Sequence, residues 1–165
     1  MIRPYQLVNN PETGLYSFTT DRNINYVCKF QFINPSLSPV LGIYDLEIYE
    51  FDFYPESIHK GKDKADNRIS ETITNLFASF FVNNLRVLVY ICDSSDGRQK
   101  ERHVLFDKWH KKNQADILIN RIQLEIKIED GIVYGCILMR HDFPHMDILE
   151  RELVNKAPDI IASKF

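Results

Sequence analysis

Between Ile69 and Phe81 the chain sets Ile69, Ile73, Leu76, Phe77, Phe80 and Phe81 at helical spacing, and soon afterwards it enters an uninterrupted apolar run from Val87 to Cys92. These two patterns constrain the fold more than anything else in the sequence. Spacings of three and four lay one apolar stripe along a helix, with Asp66 or Asn67 placed to cap its start and Asn83-Asn84 to end it. A short run of β-branched and aromatic residues without polar interruption describes a central strand buried on both faces. A helix with one apolar side beside such a strand predicts a helix packed on a sheet, with Phe77 and Phe80 facing the strands.

The other segments read as antiparallel strands joined by turns. Tyr5 to Val8 and Leu15 to Thr19 flank Asn9 to Gly14, where Pro11 presets a turn and Gly14 can take the positive φ of a bulged hairpin loop. Asp21-Arg22-Asn23 makes a second turn, after which Tyr26, Cys28, Phe30 and Phe32 alternate with Val27, Lys29 and Gln31. Past a Pro- and Ser-rich loop, Ile43 to Tyr54 is a long strand whose parity switches: Tyr44, Leu46 and Ile48 share one face, Tyr49, Phe51 and Phe53 the other. A β-bulge near Ile48 and Tyr49 would aim both halves at one core, and the switch predicts one. Arg98 to Lys112 suggests a second helix in which Leu105 and Trp109 meet at i, i+4. Ile122 to Glu129 and Ile132 to Met139 flank Asp130-Gly131 as a hairpin. Pro144, Met146, Leu149, Leu153 and Ala157 describe a C-terminal helix that Pro158 interrupts. The expected fold is therefore α+β: a curved, mostly antiparallel sheet of about seven strands with about three helices packed on one face, a single domain over 1–165.

Composition narrows the function classes. A chain of 165 residues with 44% apolar and 26% charged residues is globular, and eleven Phe and eight Tyr predict an aromatic core. A net charge of −3 argues against a whole-surface polyanion receptor. The start lacks the apolar stretch of a secretory signal and no run is long enough for a membrane span, so the cytoplasm is expected and no membrane partner. Cys28, Cys92 and Cys136 are odd in number and lack a CxxC pair, which predicts thiols, no structural zinc and no cofactor.

Four constellations could carry chemistry. Cys92 to Arg98 has the C-x5-R layout resembling the phosphate loop of cysteine-dependent phosphatases, which needs a thiolate, converging backbone N–H groups and an Arg fork. Asp93 and Asp96 set two carboxylates where a dianion must sit, so a strand-to-helix loop is the plainer account. Asp116 with Glu125 and Lys127 resembles the D…ExK arrangement of restriction-type nucleases, although Gln123 and Glu129 share that strand face as any solvated face would. His141, Asp142 and His145 form a weak candidate metal group, and Asp142 as a helix cap explains the same residues. The segment 98–112 carries Arg98, Lys100, Arg102, Lys108, Lys111 and Lys112 against Glu101 and Asp107, a formal +4. With Trp109 and His110 interleaved, it is the expected binding surface, for another protein ahead of nucleic acid.

The run Tyr90 to Arg98, followed by Leu105-Phe106-Asp107-Lys108-Trp109, resembles a family of small uncharacterised bacterial proteins. Pro4-Tyr5, Gly14-Leu15-Tyr16-Ser17-Phe18 and Tyr49-Glu50-Phe51-Asp52-Phe53 are similar to the family's N-terminal strands. The resemblance implies a stand-alone domain and a bacterial source, and it brings no activity. The leading expectation is a non-enzymatic binding module using Arg98, Lys100, Arg102, Trp109 and His110; the alternative is a phosphate-ester hydrolase using Cys92 and Arg98.

Overall fold

The computed structural model describes residues 2–33, 46–57, 66–92, 99–112, 118–128, 131–152 and 155, and for 99–102, 112 and 128 the backbone alone. Helix α1 (Asn67–Phe80) forms where the stripe requires it. The Asp66 carboxylate accepts from the Arg68 N–H at 2.9 Å, which satisfies one of the first-turn donors. Ile73, Leu76 and Phe80 are buried. Phe80 stacks on Phe30 at 4.6 Å and Phe77 meets Phe51 edge-on at 4.9 Å, so both rings face the sheet as the spacing predicts. The helix stops at Phe81, and Asn83 instead turns the chain into the next strand by accepting from the Leu85 N–H.

Among the described residues seven strands make one sheet: β1 (Val8–Asn10), β2 (Leu15–Thr19), β3 (Asn25–Phe32), β4 (Glu47–Pro55), β5 (Arg86–Cys92), β6 (Ile119–Ile128) and β7 (Gly131–Arg140). Their order is β1-β2-β3-β4-β5-β7-β6, and every neighbouring pair is antiparallel except β4 and β5. Helix α1 is the crossover that this parallel pair needs. Helix α2 (Gln99–Lys112) joins β5 to β6, and α3 runs over 146–152 after β7. The mostly antiparallel α+β architecture expected from the sequence is the one that forms. No helix among the described residues is long and apolar enough to cross a membrane.

The first hairpin forms around its predicted turn, but its first strand is displaced from Tyr5–Val8 to Val8–Asn10. Gly14 has φ of 68° and donates to the Asn10 carbonyl at 2.8 Å. Tyr5, expected in a strand, is instead drawn into the core: its N–H donates to Thr72 Oγ1 at 2.8 Å, its hydroxyl donates to Asp66 at 2.7 Å, and its ring stacks on Phe18. Helix α1 has taken the backbone donor that a ladder would have used.

The parity switch in β4 has a different cause from the one expected. Pairing with β3 runs without interruption from Phe32↔Tyr49 to Tyr26↔Pro55, so no bulge interrupts it. Two cores lie on opposite faces of the sheet. Leu46 and Ile48 join one with Val87, Val133, Ile137, Met139, Phe143 and Leu149, and Phe51 joins the other with Phe18, Tyr26, Leu88, Leu138, Leu76 and Phe80. The strand changes apolar face because the covering layer changes. Helices therefore occupy both faces rather than the one expected: α1 and α2 pack on the second core's side, while Leu149 and Met146 of α3 pack into the first.

Helix α2 also turns differently. Leu105 is 40% exposed, and the ring that accompanies Trp109 inward is Phe106, stacked on Tyr90 at 4.5 Å and edge-on to Trp109 at 5.1 Å.

Because both cores need every layer, Phe80→Ala should lower unfolding free energy by about 3 to 5 kcal/mol. Urea denaturation with an unchanged midpoint would show that the ring's contacts with Phe30 and Phe81 are not stabilising.

Candidate functional site

The parallel pair is clasped at its start and open at its end. Glu47 and Arg86 are register partners and ion-paired at 2.8 Å, and pairing continues only as far as Glu50↔Val89. Beyond that point β4 stays with β3 as far as Pro55, and β5 stays with β7 as far as Cys92. Twisted strands held by opposite outer neighbours part. They open a cleft of about 350 Å³ walled by Phe51, Phe53 and Tyr54 of β4, Tyr90 and Cys92 of β5, and Phe106 of α2. It lies at the carboxyl ends of parallel strands beside a reversal of strand direction, where open sheets commonly take ligands.

The sequence-derived candidates fall around this cleft unevenly. Cys92 stands in its wall, 3% exposed. Arg98 and the loop 93–98, and with them the anion cradle of the hydrolase expectation, lie outside the described residues. Lys100 and Arg102 fall on the first turns of α2. Trp109 sits one ring behind the cleft wall, edge-on to Phe53 at 6.3 Å. His110 is half-buried, and its Nε2–H donates to the Ile119 carbonyl at 3.0 Å. Lys108 and Lys111 are exposed, Lys111 pairing with Asp107 at 2.9 Å. Val104 and Leu105 are exposed beside them.

Asp116 lies outside the described residues, and Glu125 and Lys127 are exposed on one face of β6. Asp142 does not cap the helix that follows. Its carboxylate is forked onto Arg140, with Nε to Oδ1 at 2.8 Å and Nη2 to Oδ2 at 2.7 Å. His141 is exposed, and the His145 ring lies 6.0 Å from Phe143. Among the described residues no three His, Cys, Asp or Glu side chains gather to hold a metal.

Sequence reasoning missed a polar layer beneath α2. Arg121 of β6 is only 7% exposed; its Nη1 donates to Asp107 and its Nε donates to Cys136 Sγ at 3.1 Å. Hydrogen bonding from Lys111, and then the charge of Arg121, hold the Asp107 carboxyl below its usual value. His103 lies against Tyr134 at 5.3 Å between ring centroids. Arg121 Nη2 and His103 Nδ1 are both buried without a hydrogen-bond partner among the described residues. On β6, Arg121 alternates with apolar residues just as the solvated Gln123, Glu125 and Lys127 do, so it reads as surface. The available signal was His103, Phe106, Asp107 and His110, spaced to share a helix face.

Burial pushes the Cys136 thiol up to about 11 and the Cys28 thiol up to about 12, so both are protonated at neutral pH. All three cysteines are buried and none is in a disulfide. They should react with Ellman reagent only after denaturation, and rapid native labelling would contradict their burial. Asp107→Ala, which strips the buried guanidinium of its counter-ion, should cost about 3 kcal/mol in urea unfolding. Adding Arg121→Met should cost less than the two single losses combined; strict additivity would show that the pair is not coupled.

Residues 65–153, more than half of the chain, match the model of DUF6169, a family of unknown function. The match takes in β5, residues 93–98 and α2, and leaves out β4 and the N-terminal strands. No curated protein matches the chain.

Proposed function

We propose that this chain, which belongs to the DUF6169 family of unknown function, is a non-enzymatic interaction module whose ligand is an acidic protein segment carrying an aromatic side chain. The observation that carries the reading is the aromatic cleft where β4 and β5 part, because one of its walls, Phe106, belongs to the helix of the +4 segment. A ring inserted between Phe53, Tyr54 and Tyr90 would gain apolar contact, and flanking carboxylates would meet Lys108 on the exposed face of α2. The net charge of −3 counts against a long polyanion such as nucleic acid. Three buried cysteines without a disulfide support a reducing compartment, the bacterial cytoplasm.

A second reading, phosphate-ester hydrolysis through Cys92 and Arg98, draws support from the place of Cys92 in the cleft wall. It requires a thiolate at a position 3% exposed, which burial opposes.

The test uses Trp109 emission to follow titration with a synthetic acidic peptide containing one phenylalanine. Saturable binding should weaken about tenfold, roughly 1.4 kcal/mol, in Tyr54→Ala and in Lys108→Glu, both surface changes. Binding indifferent to both would overturn the reading. Turnover of an aryl phosphate that vanishes in Cys92→Ser would establish the hydrolase instead.

A further inference from the structure

We propose that the seat of α2 on the sheet is a latch that opens in mild acid, when His103 and His110 are protonated, and that its opening dismantles the cleft wall formed by Phe106. The latch stands on the polar layer alone; only its consequence for a ligand rests on the interaction module proposed above.

The helix has few apolar anchors. Phe106 stacks on Tyr90 and Trp109 touches Phe53, while Val104 and Leu105 face outward. The rest of its inner face is polar. His110 spends its Nε2–H on the Ile119 carbonyl, so an added proton must go to Nδ1. His103 Nδ1 is buried with no hydrogen-bond partner among the described residues, and protonating the ring leaves an unpaired N–H there. The charged and titratable groups around the two rings, among the described residues, come from every element packed there. Helix α2 gives Asp107 and Lys111, β6 gives Arg121 and Glu125, β5 gives Tyr90, and β7 gives Tyr134 and Cys136. Of the two carboxylates, Asp107 already bonds both Lys111 and Arg121. An imidazolium added to this layer therefore finds no uncommitted counter-ion beside it except exposed Glu125.

Burial first, and then the Arg121 charge, lower both imidazoles below their ordinary 6.5. The unfolded or undocked helix binds these protons more readily than the docked one. Docking is thus fully favoured above 6.5 and loses support as pH falls through that value towards the lowered ones. Asp107, held below 3.8, stays ionised throughout, so loss of its ion pairs is not the trigger.

Trp109 is the only tryptophan and rides on the latch. Acidification from about pH 7.5 to about pH 5 should shift its emission reversibly to longer wavelength while the far-ultraviolet signal of the sheet persists. In the double variant His103→Gln/His110→Gln the shift should disappear; an unmoved emission in the native chain, or an identical shift in the variant, overturns the latch. Should the variant fail to fold, imidazole proton resonances of the native chain decide, since titration of both rings at or above 6.5 is also an overturning result. The phenylalanine-bearing acidic peptide should be released over the same range. An emission shift without peptide binding at neutral pH leaves the latch standing and removes the interaction module.

Discussion

The double burial of β5 is the constraint on which the other elements depend. Val87 faces one core while Leu88, Tyr90 and Cys92 face the other, and β7 repeats the division with Ile137 and Met139 against Cys136 and Leu138. A sheet with two apolar faces needs two covering layers. Helix α1 reaches one side as the crossover of the parallel pair, and α3 reaches the other after β7 returns the chain. The parallel pairing is compatible with the same demand, because the crossover that returns the chain from β4 to β5 is α1 itself.

Layers of unlike character hold the two helices on the second core's side. Helix α1 rests on a cluster of contacting rings, Phe30, Phe51, Phe77 and Phe80, with the ion pair of Glu47 and Arg86 at its margin. Helix α2 rests partly on Arg121, Asp107, His103 and His110, where orientation matters more than apolar area. Apolar packing tolerates a change in proton concentration, whereas a layer of half-buried imidazoles does not. The proposed binding and the proposed regulation therefore both fall on α2.

Where one physical rule governed, the sequence was legible. The stripe of α1, the Asp66 cap, the positive φ at Gly14 and the doubly buried β5 each follow from local periodicity or local backbone chemistry. Where a residue's meaning depends on what lies above it, legibility ended. Period-2 alternation says that Ile48 and Phe51 point to opposite faces, and the bulge was inferred only because one core was assumed. Leu105 looked like an inward residue because hydrophobicity outranks hydrogen bonding in a helical pattern, yet Asp107 and His110 have partners beneath the helix and Leu105 is exposed. Arg121 was invisible for the same reason. Of the candidate site, Cys92 could be placed at the end of its strand, but the cleft itself comes from the parting of β4 and β5, which no local pattern encodes.

The sharing of β4 between opposite faces has a consequence for how the gene can change. Deleting or inserting one codon within Glu47–Pro55 would carry Ile48 or Phe51 to the wrong side, and neither core could absorb the error for the other. Length variation among relatives should accordingly collect in the turn at 11–14, where Gly14 has open space around it, and spare this strand altogether.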